Sequence, residues 1–154
     1  MEELKALLTA LENQIQNQEI LNPSVSKSSV GWHIEHALLV MNLTIASIQK
    51  SNPENYKRTF NFNRFVVFVI NKIPRGKVRA PKAVQPAADF TSDSLKAHIE
   101  KSNLNLEKLS TLNSNQYFDH PFMGHLKLKP TIRFIKLHTQ HHFNIIREII
   151  ESKS

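Results

Sequence analysis

Histidine is the residue type in this chain whose number and spacing best suit metal chemistry. The chain has eight histidines in 154 residues and no cysteine, so a thiolate site, a disulfide and a cysteine nucleophile are all excluded. Three histidines fall within five residues, at 138, 141 and 142. Helix positions i and i+4 lie on one face about 6 Å apart along the axis, so His138 and His142 can direct their rings at one point. Neutral imidazole is a good ligand for Zn, Ni, Cu and Fe, and this spacing predicts a site built from imidazoles.

Two ligands on one helix are too few, so a third must come from elsewhere in the chain. The segment Trp32-His-Ile-Glu-His36 offers His33 and His36, which are one helical turn apart. Periodicity leaves His33 open as an alternative to His36, and His141 as an alternative to a ligand on the last helix. Glu35 would point about 100° away from His36 on a helix, which makes it a weak candidate for a base. The plainer interpretation is that these are hydrogen-bonded core histidines without a metal.

Four long stretches show the three- and four-residue apolar spacing of amphipathic helices. Ser28 or Ser29 is expected to cap the second helix, Thr91–Ser94 the third, and Pro130 suits the first position of the last. The predicted fold is an all-α antiparallel four-helix bundle, one domain over 1–154, with long connections between helices two and three and between helices three and four. The predicted helices cover residues 2–20, 29–50, about 92–112 and 130 to near the C-terminus.

The connection between the second and third helices combines apolar and basic character. Residues 59–70 are rich in aromatic and β-branched side chains, and we interpret them as a short helix, although such residues also favour strands. Residues 74–90 contain three prolines and a glycine and are expected to form a long loop. A basic segment over 72–82 contains no acid, and a solvated loop is its ordinary interpretation. Its five cations are Lys72, Arg75, Lys77, Arg79 and Lys82.

Net charge and hydropathy limit the partners and the compartment. The formal net charge is +7, which attracts anions, but no basic recognition helix accompanies it, so nucleic acid is not expected as a partner. The longest apolar run, residues 65–70, is far shorter than the roughly 20 residues that a membrane-spanning helix requires. No export signal is evident at the N-terminus. We therefore expect a soluble, cytoplasmic protein without a membrane partner, and a homodimer is considered.

Three short segments resemble the DinB/YfiT-like superfamily. They are Ser29-Val-Gly-Trp-His-Ile-Glu-His36, His120-Pro-Phe-Met-Gly-His-Leu126 and His138-Thr-Gln-His-His142. The resemblance implies a four-helix bundle that holds a divalent metal with three histidines, one from helix two and a pair from helix four. Placed on this sequence, those ligands are similar to His36, His138 and His142. Many relatives carry an acid inside the last motif, where this chain has Thr139 and Gln140.

The resemblance implies enzyme chemistry with a divalent ion, Zn or Ni above all. Three neutral imidazoles leave positions for water or substrate, which is the arrangement of a catalytic metal site. Such an ion would activate water, giving a hydrolase, or a low-molecular-weight thiol, giving an S-transferase. The expected partner is a small-molecule substrate, and the basic segment would favour an anionic thiol. His120, His125 and Tyr117 are the candidates for further contacts with it, and a non-catalytic interaction bundle is the alternative.

Overall fold

The computed structural model describes residues 1–76, 80–87 and 90–152. Two members of the basic segment, Lys77 and Arg79, lie outside this range. The secondary structure consists of α1 (Glu2–Glu12), α2 (Val30–Lys50), α3 (Phe62–Ile70), α4 (Ser92–Lys108), β1 (Tyr117–His120), β2 (Gly124–Lys127) and α5 (Leu128–Glu151). Short 3-10 turns lie at Ile15–Asn17, Pro53–Asn55, Lys82–Val84 and Leu109–Thr111.

Side-chain caps fix where α2 and α4 begin. The Ser29 hydroxyl accepts from the Trp32 backbone N–H at 3.3 Å, so Ser29 rather than Ser28 is the N-cap of α2. Thr91 and Ser94 form a reciprocal capping box at α4. Helix α5 begins at Leu128, two residues before the predicted position, and Pro130 lies in its first turn. A proline is tolerated there because the first four N–H groups of a helix have no partner within the helix.

The core forms where four helices face one another. Helix α2 packs against both α4 and α5, and α1 packs against the same two helices. This arrangement buries an apolar face on each of the four, and α2 is therefore covered from two sides. The largest fully buried side chains include Leu8, Leu11, Ile34, Leu38, Met41, Ile45, Leu95 and Leu106.

The molecule is mostly helical, but all-α is not an exact description. Residues 117–127, which we expected to form a loop, form an antiparallel hairpin that pairs Tyr117 with Lys127 and His120 with Gly124. Gly124 has φ +64°, a conformation that glycine adopts without steric cost. The aromatic side chains of the hairpin stabilise it, since the rings of Tyr117 and His125 stack at 4.4 Å.

Two further points concern α1 and α3. Helix α1, which we predicted over residues 2–20, ends at Glu12, and the buried Ile15 that continues its apolar spacing belongs to a 3-10 turn. The short helix expected within residues 59–70 is confirmed over Phe62–Ile70. Its N-cap is Asn61, whose side chain accepts from the Arg64 N–H at 2.9 Å.

Gly31 allows a close contact at the start of α2. A methyl group added at its Cα would lie 2.3 Å from the Phe90 ring and 3.0 Å from Gln18. Gly31→Ala is therefore expected to destabilise the protein by about 1–3 kcal/mol, because overpacking outweighs the better helix propensity of alanine. Urea unfolding of the two proteins measures the difference, and a variant as stable as the parent would show that Phe90 moves aside freely.

Candidate metal centre

Helices α2 and α5 supply the histidines of the candidate site. His33 and His36 lie one turn apart near the start of α2, and each is 4% exposed. His138 and His142 lie one turn apart in the middle of α5, with His142 8% exposed. Since these two helices pack against each other, their histidine turns meet inside the protein.

The rings of His36, His138 and His142 converge. One nitrogen from each ring lies within 4.8 Å of the nitrogens of the other two. The ring centroids are 5.1 Å apart for His36 and His138, and 4.6 Å apart for each of the two other pairs. The three histidines are therefore positioned to hold a metal ion.

Burial keeps these imidazoles neutral at physiological pH. Burial is the main cause that lowers the pKa of His36, and it lowers the pKa of His138 and His142 well below the ordinary value. The neighbouring rings lower the pKa of the last two further, because a positive charge on one histidine disfavours protonation of the next. Each ring thus retains a lone pair, which a cation requires of its ligands.

Hydrogen bonds indicate which nitrogen of His36 is available. Its Nδ1 lies 2.6 Å from the backbone oxygen of Val84, and because a carbonyl only accepts, Nδ1 carries the proton. The Nε2 atom of His36 is then the one with a free lone pair. The Trp32 ring stacks on His36 at 4.9 Å and supports the same orientation. This is the arrangement by which proteins orient metal-ligating histidines.

A similar chain of contacts supports His142. Its Nδ1 lies 2.9 Å from Nδ1 of His33, whose Nε2 lies 2.9 Å from the Ser26 hydroxyl. For His142 to bind a cation through Nε2, its Nδ1 must donate to His33, and His33 then donates through Nε2 to Ser26. His33 is therefore placed behind His142 rather than among the three converging rings.

His138 provides a test of whether the site suits a cation. Its Nδ1 is fully buried and has no hydrogen-bond partner among the described residues, although part of the residue remains accessible. An unsatisfied buried polar atom costs about 1–3 kcal/mol. Coordination is one way to recover that cost, and the all-imidazole donor set suits Zn, Ni, Cu or Fe. The residues present fit a divalent ion.

The other histidines predicted from the sequence make different contacts. His141 meets the His142 ring edge-on at 5.1 Å but is not one of the three converging residues. His120 accepts the backbone N–H groups of Phe122 and Met123, and its ring lies 4.5 Å from that of Phe134. His125 stacks on Tyr117 and accepts from the Lys57 N–H. The structure gives these side chains partners within the protein and does not place them among the three rings.

Glu35 and Arg75 also have defined positions. Glu35 pairs with His98 of α4 at 2.9 Å, and not with the candidate ligand beside it in sequence. From the basic segment, Arg75 forms two 2.7 Å hydrogen bonds to Glu148 of α5, which lower the pKa of Glu148. Arg75 thus contacts α5, and Val84 contacts His36 of α2.

Sequence reasoning missed two supporting groups, the Val84 carbonyl and the Ser26 hydroxyl. A backbone carbonyl is present at every residue, so no residue type could have indicated Val84. Ser26 lies seven residues before His33 in a connection between helices, where spacing does not fix which groups meet.

His33→Ala is expected to weaken binding of Zn by about 10-fold to 100-fold, because it removes the hydrogen-bond partner that orients His142. Competition with a chromophoric chelator measures the affinity. His141→Ala is the matched control, since it removes a neighbouring imidazole without that hydrogen bond, and its affinity should match the parent. Equal affinities of the His33 variant and the parent would mean that His142 needs no such support.

The fold and the site define a mostly helical domain with a group of three histidines, two of them buried, that can hold a metal ion. The chain belongs to the DUF1569 family, described as a protein of unknown function, whose match covers residues 2–149. No DinB family matches, so the DinB resemblance depends on the three short segments alone. Comparisons with the curated proteins and with the solved structures each gave no match.

Proposed function

We propose that this protein is a metal-dependent enzyme in which His36, His138 and His142 hold one divalent ion, Zn or Ni, beside the binding place of a small-molecule substrate. The observation that carries the proposal is the convergence of three neutral imidazoles from two helices within 4.8 Å, two of them buried and His138 partly accessible. We further propose that the long helices form a single antiparallel bundle of the DinB/YfiT type. The supporting motifs are those at His36 and at His138 to His142.

A bound ion would act as a Lewis acid and lower the pKa of a water or thiol that it binds. Residues of the chain would position the ligands of that ion. His33 and the Val84 carbonyl hold two of the rings in place, and the Phe134 ring lies 5.7 Å from the ring of His138. The accessible part of His138 is where a substrate would approach. The nucleophile is proposed to be either water or a low-molecular-weight thiol, in a hydrolase or an S-transferase respectively.

Charge supports an anionic thiol as the nucleophile. Arg75 pairs with Glu148 of α5, and it acts electrostatically on both His33 and His141. Its guanidinium is paired with Glu148, but both side chains are about half exposed, so an anionic substrate can exchange with the carboxylate. An S-transferase would form a bond from the thiol sulfur to an electrophilic carbon and release the leaving group with the thiol proton.

Metal content of protein purified without an affinity tag is the direct test. We expect about one Zn or Ni per chain. When the ion is returned to chelator-treated protein at one hundred times Kd, the free energy of unfolding should increase by about 2.7 kcal/mol, and the transition temperature should rise with it. Loaded protein is then assayed for thiol consumption with an electrophile and for ester or amide hydrolysis. Absence of metal together with an unchanged thermal transition would favour the non-catalytic interaction bundle.

A further inference from the structure

Helix α3 lies on the surface with its apolar side chains facing outward. None of its nine residues is buried. Phe62, Phe65 and Val69 are 67%, 53% and 65% exposed, and their spacing of three and four residues puts them on one side of the helix. The outward face of α3 is thus apolar over a helix about 14 Å long.

Polar contacts on the inner side fix this orientation. The Arg64 guanidinium donates to the backbone oxygens of His125 at 3.1 Å and Met123 at 3.5 Å. Arg133 of α5 donates to the Phe68 backbone oxygen, and its guanidinium lies 4.7 Å from the centre of the Phe68 ring. Turning the apolar stripe inward would break these contacts, so its exposure is a fixed feature of the fold.

Neighbouring residues enlarge the stripe into a patch. Phe60 lies two residues before the first residue of the helix and is 79% exposed, and Ile70 ends the helix at 48% exposure. Phe122, at 41%, is held beside the start of the helix because the amides of Asn61 and Asn63 donate to its backbone oxygen. The α3 patch is Phe60, Phe62, Phe65, Val69, Ile70 and Phe122, which are six of the ten exposed large apolar residues in the described part of the chain.

The same stretch of chain carries the positive charge of the protein. Residues 55–88 contain eight lysines and arginines and no acid, while the rest of the chain holds twelve against thirteen acids. Lys57 and Arg58 precede α3, Lys72 follows it, and all three are exposed. None of these three forms an ion pair with a described residue. The eight cations are Lys57, Arg58, Arg64, Lys72, Arg75, Lys77, Arg79 and Lys82.

Although the sequence led us to expect no membrane partner, we propose that the α3 patch and the cations beside it form a peripheral binding surface for an anionic lipid bilayer. Aromatic and aliphatic side chains on a surface helix enter the boundary between headgroups and acyl chains, while lysines and arginines beside them attract lipid phosphates. No helix in the described ranges has the length and apolar character to cross a bilayer, so the contact is made from one side.

Charge and shape favour this occupant over two others. A second copy docked symmetrically on the patch would bring two strongly basic segments together, and like charges would oppose the contact. Single-stranded nucleic acid binds by stacking bases on aromatic rings, but the patch continues into Val69 and Ile70, which have no ring to stack on. A protruding apolar helix with basic residues near both ends instead suits a flat anionic surface.

Co-sedimentation of the full chain with vesicles tests the proposal. We expect binding to vesicles of phosphatidylcholine and phosphatidylglycerol in equal parts, little binding to phosphatidylcholine alone, and loss of binding at about 1 M salt, where charges are screened within about 3 Å. Phe62→Ser with Phe65→Ser should weaken binding about 10-fold to 100-fold. Lys57→Gln with Arg58→Gln should weaken it about 25-fold, about five-fold for each cation.

Matched changes on α4 serve as controls. Leu104→Ser replaces another exposed apolar residue, and Lys96→Gln with Lys101→Gln removes two exposed cations, so both should bind vesicles like the parent. Circular dichroism verifies that each variant is folded. No binding to anionic vesicles, or equal losses in the α3 and α4 variants, would overturn the proposal. The proposal would also fail if the parent bound no vesicles but self-associated in ultracentrifugation, or bound a single-stranded oligonucleotide, and the α3 changes abolished that binding.

Discussion

His138→Ala is expected to lower the affinity for Zn or Ni by more than about 100-fold. Removal of a group that only orients a ligand already costs about 10-fold to 100-fold, and loss of a ligand itself costs more. His138 faces both other rings, at centroid distances of 5.1 Å from His36 and 4.6 Å from His142. Titration calorimetry with chelator-treated protein measures the change.

His98→Ala is the control for that experiment. His98 pairs with Glu35 on the α2–α4 side of the core and takes no part in the group of three. Its removal should leave metal affinity unchanged even if stability falls. Equal losses of affinity in the two variants would contradict the assignment of ligands, and retained affinity in the His138 variant would exclude His138.

Acidification from about pH 7 to pH 5 is expected to unfold the metal-free protein. Burial is the largest cause that lowers the pKa of six histidines in the folded state, to about 4 for His33 and for His120. In the unfolded chain histidine titrates near 6.5, so the unfolded state binds more protons below that pH. The stability is fully present above pH 6.5 and is lost as the pH falls toward the folded values. The six are His33, His36, His120, His138, His141 and His142.

The magnitude of the pH effect is large compared with the stability of an ordinary domain. Between pH 6.5 and about 4, His33 and His120 each lose about 1.4 kcal/mol of stability per pH unit, which amounts to roughly 2 kcal/mol for each of them by pH 5. Domains are stable by only about 5–15 kcal/mol. Urea unfolding at several pH values measures the slope, and a free energy of unfolding that stays constant between pH 7 and 5 would show that these histidines are not buried in solution.

The residue pattern by itself indicated His138 and His142, whereas His36 was preferred to His33 only through the resemblance to the DinB/YfiT-like superfamily. The four-residue spacing in α5 puts two imidazoles on one face, and the apolar residues around them indicate that this face is buried. The choice between His33 and His36 depends on the rotation of α2 relative to α5 by less than one turn. Periodicity does not resolve such a rotation, whereas in the structure His36 rather than His33 belongs to the three rings whose nitrogens lie within 4.8 Å of one another.

The helices followed from apolar spacing and capping residues, whereas the hairpin did not. Strands of four residues, Tyr117–His120 and Gly124–Lys127, are too short for alternation to stand out from a loop rich in aromatics. The spacing of apolar residues also did not predict that the apolar face of α3 points toward solvent. A run such as Phe65 to Ile70 reads as a buried segment until the contacts of Arg64 and Arg133 show which side faces the protein.

The contact between Val84 and His36 links metal exchange to a surface turn. The carbonyl that orients His36 comes from the 3-10 turn Lys82–Val84, which contains no buried residue and can open without global unfolding. Opening of this turn would remove the carbonyl that orients His36, so a bound ion is expected to exchange faster than the chain unfolds. Zinc should in return slow amide hydrogen exchange at the turn's own internal bonds, the N–H groups of Val84 and Gln85.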